Sequence, residues 1–121
     1  MATFAISASL KFKEDIRKIM EEASKLGMTA LFPNLDFEGE LTSENLKMLT
    51  LDHFKAIDES QALYVWCPSG YIGRSVTLEI GYARAKGIPI FYSERTNDLV
   101  IDSLCTDIVS FDRLQGLVTR L

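Results

Sequence analysis

The sequence predicts an α/β fold with a five-stranded parallel sheet. Short apolar runs of strand length alternate with longer segments of helical periodicity, which is typical of right-handed βαβ units. One run, at residues 62–66, is almost wholly apolar, as expected for a central strand covered on both faces. Apolar residues make up 47% of the 121 residues, which excludes a disordered chain. We expect residues 1–121 to form a single domain.

The first half of the chain contains two predicted strands and two predicted helices. Apolar residues recur at three- and four-residue spacing with charged residues between them, which predicts an amphipathic first helix that stops at Gly27. Pro33 breaks the second strand, and Ser43 is the expected cap of the second helix. The predicted elements are a strand at 4–6, a turn at 7–9, the first helix, a strand at 28–32, a polar loop at 36–41 and the second helix.

The second half contains three predicted strands and three predicted helices. The third helix begins at Arg74 and ends at Gly87. Pro89 indicates that the fourth strand has its proline near its start or lies at a sheet edge. The predicted elements are a strand at 62–66, a loop at 67–73, a helix at 74–86, a strand at 88–92, a short helix within 96–105, a strand at 107–111 and a helix at 113–121.

Charge and hydropathy exclude several classes of partner. The net charge is −4 and no Lys/Arg stripe is present, so we expect no nucleic-acid partner. No apolar run approaches the roughly 20 residues of a membrane span. The first residues lack the charged-then-apolar pattern of a signal peptide, so we expect a cytoplasmic protein that does not bind membranes.

The chain has few cysteines and histidines, the residue types that form disulfides and bind transition metals. Cys67 and Cys105 are the two cysteines, and neither belongs to a CxxC pair. We expect both to be reduced structural thiols. His53 is the single histidine, and it cannot support a multi-histidine site. The sequence therefore predicts no metal site.

The loop after the third strand is the strongest candidate for a binding site. In open parallel sheets, ligands bind beyond the carboxyl ends of strands where strand order reverses, which selects residues 7–11 and 67–75. Gly70 and Gly73 allow the backbone to approach a ligand closely. The helix that follows offers unpaired N–H groups, and Ser69 and Ser75 add hydroxyl groups. A phosphate or a sugar hydroxyl would fit residues 68–79.

Glu79 lies about one turn inside that helix and has two interpretations. A carboxylate near a helix N-terminus is stabilised by about 0.3–1 kcal/mol through the helix dipole, with no role in chemistry. Alternatively, Glu79 points into the pocket as an ionised nucleophile, and the same dipole helps to keep it ionised.

Three motifs resemble the nucleoside 2-deoxyribosyltransferase-like superfamily. They are Ile-Ser-Ala-Ser at 6–9, Gly-Tyr-Ile-Gly at 70–73 and Glu-Ile-Gly-Tyr-Ala at 79–83. The resemblance implies a flavodoxin-like, Rossmann-like three-layer sandwich. It implies cleavage or transfer at the N-glycosidic bond of a nucleoside or nucleotide, with Glu79 attacking the anomeric carbon to form a covalent glycosyl-enzyme. It also implies no cofactor, and a homodimer or larger assembly.

The resemblance extends to further site residues, and the sequence departs from it at two positions. The family's strand-one tyrosine aligns near Ala5, so its hydroxyl is missing, and the family's proton-handling aspartate aligns near His53. His53 is either an acid or base at neutral pH or a buried helix residue with a hydrogen bond. Ser69, Gly70, Gly73 and Ser75 are the predicted contacts from the loop after the third strand.

The turn at 7–9 is similar to the phosphate-binding turn of the branch that hydrolyses deoxynucleoside 5′-monophosphates. This similarity implies that Ser7 and Ser9 contact substrate and that Lys11 adds charge. Ser9 alternatively caps the first helical region. Tyr71 either stacks on a base or ribose or simply covers its loop, whereas Trp66 is expected in the core.

Four alternatives remain open. The first is a non-catalytic nucleotide-binding or sensing module on the same fold, which the missing tyrosine and aspartate favour. A phosphoribohydrolase is a poorer match because Gly73 lies six residues before Glu79 instead of four. A TIR-like NAD-cleaving domain is more distant, and a flavodoxin-type flavin site rests on fold analogy alone.

Overall fold

Five parallel strands form one sheet in this computed structural model, which describes residues 2–121. The strand order is β2-β1-β3-β4-β5, and all four neighbouring pairs are parallel. This is the flavodoxin-like order, in which the direction of winding reverses between β1 and β3. The strands are β1 at Thr3–Ser7, β2 at Thr29–Leu31, β3 at Ala62–Val65, β4 at Ile90–Tyr92 and β5 at Asp107–Ile108.

Helices cover both faces of the sheet, and two short 3-10 helices lie in the connections. The α-helices are α1 at Lys13–Lys25, α2 at Ser43–Asp58, α3 at Arg74–Ala85, α4 at Leu99–Asp102 and α5 at Phe111–Val118. The 3-10 helices are Leu10–Phe12 and Pro68–Gly70. Among residues 2–121, no helix is long and apolar enough to cross a membrane.

Side-chain alternation along the strands creates two separate cores. Phe4 and Ile6 of β1 pack with residues from α1 and α5 on one face. Ala5, between them, points to the opposite face and packs with residues from α2 and α3. The predicted α/β three-layer fold with a five-stranded parallel sheet is therefore confirmed.

Several local predictions need correction. Thr42, and not Ser43, caps α2, because its side chain accepts a hydrogen bond from the Asn45 N–H. For Pro89 the first of the two predicted alternatives is confirmed: it lies at the start of β4, directly before the paired residues, and the strand is interior and not at an edge. The fifth strand is shorter than predicted and the last helix begins two residues earlier, at Phe111.

Candidate active site

A cavity of about 620 Å³ opens at the carboxyl end of β1, beside the reversal of strand order. One side, the core wall, consists of residues 8–10, residues 73–76, Glu79 and His53. The other side, the loop wall, consists of cavity-lining residues within 32–41, after β2. Leu46, Leu49 and Thr50 of α2 complete the lining. The volume lies in the range of small-molecule sites, and the lining is mostly apolar with a few polar groups.

Glu79 occupies a position that the helical period assigns to the core. It follows Val76 by three residues and precedes Ala83 by four, and both of these residues face the sheet. Glu79 itself is only 6% exposed, yet it lines the cavity. A carboxyl group is rarely buried unless a partner or a function holds it there.

Ser7, the last residue of β1, binds this carboxyl group. Two-residue alternation places Ser7 on the same sheet face as Ala5, the face that α2 and α3 cover. The Ser7 hydroxyl donates to Glu79 Oε1 over 2.5 Å. Ser7 is fully buried and does not line the cavity, so it contacts Glu79 and its predicted contact with substrate stays a prediction.

His53 fills a gap in the sheet's hydrogen bonding. The Thr29 N–H of β2 donates to the Ala2 carbonyl beside β1. In a parallel pair, each further hydrogen bond of this kind lies two residues later on both strands. Two such steps lead to residue 33 as the donor and to the Ile6 carbonyl as the acceptor. Pro33 has no N–H to donate. His53 Nε2 lies 2.7 Å from the Ile6 oxygen instead, and its ring meets Phe32 edge-on.

This hydrogen bond fixes the tautomer of His53. Because a carbonyl oxygen only accepts, Nε2 carries the proton and Nδ1 holds the lone pair. Burial lowers the pKa of His53, although the bond to Ile6 opposes this shift. Within residues 2–121, no hydrogen bond involves Nδ1, so this nitrogen keeps a lone pair that can accept a proton.

Burial also raises the pKa of Glu79, to about 7, and the hydrogen bond from Ser7 opposes the rise. His53 Nε2 lies 3.6 Å from Glu79 Oε1. That separation is too long for a hydrogen bond, and each group favours its neutral form, so the two do not form a salt bridge. The site holds a weakly acidic carboxyl group beside a neutral imidazole.

Polar groups at the start of α3 form the other polar part of the cavity. Gly73 is the N-cap, and Arg74 and Ser75 begin the helix with their N–H groups unpaired within it. Ser9 lines the cavity nearby and also caps the 3-10 helix Leu10–Phe12, because its hydroxyl accepts from the Lys11 N–H. Sequence analysis did not identify Arg74, although a cation directly after the glycine loop was a usable signal.

The loop wall is the part that sequence analysis missed. Asn34 adopts a left-handed conformation with φ of 59°, and its Nδ2 donates to Asp52 Oδ2 over 2.8 Å. Asp36 forms ion pairs with Arg17 and Lys13 of α1. These bonds tie the loop to α1 and α2, and a polar loop without periodicity carries no sign of them.

Besides Ser7, three predicted binding residues lie outside the cavity lining. The Ser69 N–H donates to Glu94 Oε2. Gly70 has φ of 78°, and a Cβ there would lie 2.8 Å from the Arg95 carbonyl oxygen, so its glycine serves loop packing. The Tyr71 ring lies 3.5 Å from Lys11 Nζ in a cation–π contact. Their predicted roles in binding, and that of Lys11, stay predictions.

The two cysteines and Trp66 lie outside the cavity lining. Cys67 and Cys105 are free thiols, and burial raises the pKa of both. Trp66 is half-buried and donates its indole N–H to Asp15, at the margin of the core. Within the described part of the chain, no group of three or more histidine, cysteine, aspartate or glutamate side chains is placed to hold a metal ion.

Comparison with known proteins gives structural matches without sequence matches. No protein-family model and no curated protein matches the chain. Its structure is similar to a 2-deoxyribosyltransferase from the psychrotolerant bacterium Bacillus psychrosaccharolyticus, with a TM-score of 0.71, 15% identity, and coverage of 95% of this chain and 91% of that chain. A conserved protein from Enterococcus faecalis V583 matches with a TM-score of 0.70, 16% identity and coverage of 99% and 98%.

A third similar structure is more distant. A 3-dehydroquinate dehydratase-like protein from Bifidobacterium longum has a TM-score of 0.51, 13% identity and coverage of 99% and 94%. At these identities the likeness concerns the fold. The fold implied by the resemblance to the nucleoside 2-deoxyribosyltransferase-like superfamily is confirmed.

Proposed function

We propose, from a fold shared with a 2-deoxyribosyltransferase, that this chain cleaves the N-glycosidic bond of a nucleoside or nucleotide through Glu79. One observation carries the proposal. The Glu79 carboxyl group is buried at a cavity beside the reversal of strand order, with Oε1 bound by Ser7. Within residues 2–121, Oε2 accepts no hydrogen bond and is left for the cavity.

In the first step, a carboxylate oxygen of Glu79 attacks the anomeric carbon of the sugar. The carbon–nitrogen bond breaks, its electron pair moves to the base, and the base takes a proton from water. A covalent glycosyl-enzyme and a free base result. Ser7 supports this step by holding Oε1, which leaves one oxygen to act as nucleophile.

In the second step, water attacks the anomeric carbon and the bond to Glu79 breaks. The electron pair returns to the carboxylate, the water's proton goes to His53 Nδ1, and the imidazolium then gives a proton to the hydroxide that was left when the base was protonated. The bond from Nε2 to Ile6 orients the imidazole for this role. If a second base replaces water, the same geometry performs transfer instead of hydrolysis.

The remaining polar groups suit the sugar end of such a substrate. Ser9 and Ser75 offer hydroxyl groups, and Arg74 adds a positive charge at the start of α3. A sugar hydroxyl or a 5′-phosphate would bind there, because helix N-termini favour anions.

The assay measures release of free base from a panel of ribo- and deoxynucleosides and their 5′-monophosphates, by liquid chromatography. We expect release by the wild-type chain and loss of at least about 10³-fold in Glu79→Gln, which removes the nucleophile and keeps the shape. Glu38→Gln is the matched control, because Glu38 is an exposed carboxylate on the loop wall. No release above the Glu79→Gln background from any substrate would contradict the proposal.

A non-catalytic nucleotide-binding module is the second candidate, and the raised pKa of Glu79 favours it. A neutral carboxyl group binds a ligand through hydrogen bonds and is a poor nucleophile. This candidate predicts that a nucleotide raises the melting temperature of the wild-type chain and is recovered unchanged. Release of free base would support the enzyme and contradict the non-catalytic binding module.

We further propose a cytoplasmic, one-domain chain that forms a homodimer or larger symmetric assembly. Leu46, Met48 and Leu51 of α2 are exposed and apolar, which is typical of a surface that associates. Light scattering coupled to size-exclusion chromatography tests the assembly, and a clean monomer at assay concentration would contradict it.

A further inference from the structure

The aromatic ring of Phe37 lies directly over the backbone of Gly39 in the loop wall. A Cβ built at Gly39 would fall 2.4 Å from Phe37 Cζ and 2.9 Å from Cε2, well inside van der Waals contact. Any side chain at position 39 would therefore displace the ring. The φ of Gly39 lies outside the left-handed region, so the backbone itself does not require glycine. The ring is the reason for glycine here.

Phe37 is not used to build the core. It lines the cavity and is half-buried, and it belongs to neither of the two core clusters. The other cavity-lining phenylalanine, Phe32, packs edge-on against His53 and against the core. Within residues 2–121, Phe37 has no aromatic partner. An aromatic face is left beside the cavity.

The loop that carries this ring is held in one conformation by its own bonds. The Phe37 N–H donates to the Asn34 carbonyl, and Asn34 is itself tied to Asp52. After the ring, Asn45 Nδ2 donates to the Glu40 carbonyl over 2.7 Å. These bonds fix both ends of the loop. Because the loop is already ordered, little conformational entropy is lost when the ring contacts a ligand.

We infer that Phe37 is the stacking platform for the base of the substrate and that Gly39 sets its position. The inference rests on the proposed function, which places a nucleoside in this cavity. Every nucleobase has an apolar π-face, and stacking on an aromatic side chain is its common mode of recognition. The core wall, with Glu79 and His53, is left to the sugar.

Binding is measured by calorimetric titration of the four common deoxynucleosides into Glu79→Gln, in which the substrate stays intact. We expect Phe37→Ala to weaken binding by about tenfold or more and Phe37→Leu by several-fold, because leucine keeps the apolar volume and loses the π-face. Phe37→Tyr keeps the ring and should bind within about twofold. Leu78→Ala is the matched control, an exposed apolar residue outside the cavity lining.

A double-mutant cycle tests the role of Gly39. Gly39→Ala should weaken binding about as much as Phe37→Leu, and adding Gly39→Ala to Phe37→Ala should have no further effect, because the ring is already absent. Melting temperatures identify variants that fail to fold, and Phe37→Leu replaces Phe37→Ala in the cycle if the alanine variant unfolds. Independent effects of the two changes would overturn the role of Gly39.

The outcomes separate this inference from the proposed function. Binding that depends on Phe37 without base release by the wild-type chain would support the platform and contradict the enzyme. Base release with binding that Phe37→Ala leaves unchanged would overturn the platform and leave the enzyme intact. Absence of binding by all four deoxynucleosides to both the wild-type and Glu79→Gln chains would overturn the platform.

Discussion

The two walls of the cavity are held in place by different forces. On the core wall, Glu79 and His53 are buried, and their partners are Ser7 and the Ile6 carbonyl of the interior strand β1. On the loop wall, the polar side chains are exposed, and the loop is tied to α1 and α2 by surface bonds. Burial shifts pKa values strongly on the core wall, whereas solvent screens charges on the loop wall.

Under the proposed function, the two walls have separate tasks. A nucleophile and a proton acceptor need fixed geometry and perturbed pKa values, and a rigid core provides both. Recognition of a base needs side chains that can be replaced without destabilising the core. A loop tethered to the surface of the fold provides such positions. Changes to Glu79 and His53 of the core wall, and to Ser7 behind Glu79, should therefore act on the rate of chemistry and on its pH dependence, whereas changes on the loop wall should act on KM.

The largest effect in this comparison is expected from His53→Gln. Glutamine keeps an N–H donor for the Ile6 carbonyl and removes the imidazole that takes the proton. General base catalysis is typically worth about 10²–10⁴-fold, so kcat should fall by that range while KM changes little. Thr50→Ala, one turn earlier on α2 and also at the cavity, is the control. A kcat within about threefold of wild type, with the fold intact by circular dichroism, would remove His53 from the chemistry.

Ser7→Ala should have a smaller effect that depends on pH. The Ser7 hydrogen bond lowers the pKa of Glu79 against burial, so its removal raises that pKa further above about 7. The nucleophile must be ionised, so activity rises with pH through this pKa, and the rising limb should move to higher pH. We expect a loss of roughly tenfold below pH 7 that narrows at alkaline pH.

Ser9→Ala is the control for this pH profile. Ser9 lines the cavity and is not bonded to Glu79, so its replacement should raise KM and leave the position of the limb unchanged. A Ser7→Ala variant that loses activity equally at every pH would show that Ser7 acts on structure and not on the ionisation of Glu79.

The smallest effect is expected from Asp36→Asn, in the loop that carries the loop wall. This change removes the ion pairs with Arg17 and Lys13, which are exposed and therefore weak. We expect KM to rise by about two- to fivefold with kcat unchanged, and the difference should shrink at high salt because salt screens surface charges. Glu22→Gln, which breaks an exposed pair with Lys25 on α1, should leave KM unaltered. A fall in kcat would contradict the division between the walls.

The sequence predicts the core wall better than the loop wall for a physical reason. Helical and strand periodicity place Glu79 and His53 among apolar neighbours, and a titratable group in such a stripe is a visible anomaly. Ser7 was identified as a site residue, but its contact with Glu79 joins positions 72 residues apart, which periodicity does not show.

The loop wall carries no periodic signal. Its geometry comes from a left-handed Asn34, from ion pairs at Asp36 and from the ring of Phe37 over Gly39. The bonds of Asn34 and Asp36 depend on tertiary contacts with α2 and α1. The place of the Phe37 ring over Gly39 cannot be read from the residue types alone. The same limit hides the packing of Gly70 against residues 95–96, which the sequence does not show, whereas Gly73 of the same predicted loop lines the cavity.

Detection of the glycosyl-enzyme tests the central claim, attack by Glu79, most directly. The wild-type chain is mixed with its best substrate and quenched in acid within one turnover, and the digest is analysed by mass spectrometry. The account predicts that the peptide containing Glu79 gains the mass of the sugar residue and that Glu79→Gln shows neither this adduct nor base release. Base release at the wild-type rate by Glu79→Gln, or an adduct on another residue, would contradict it.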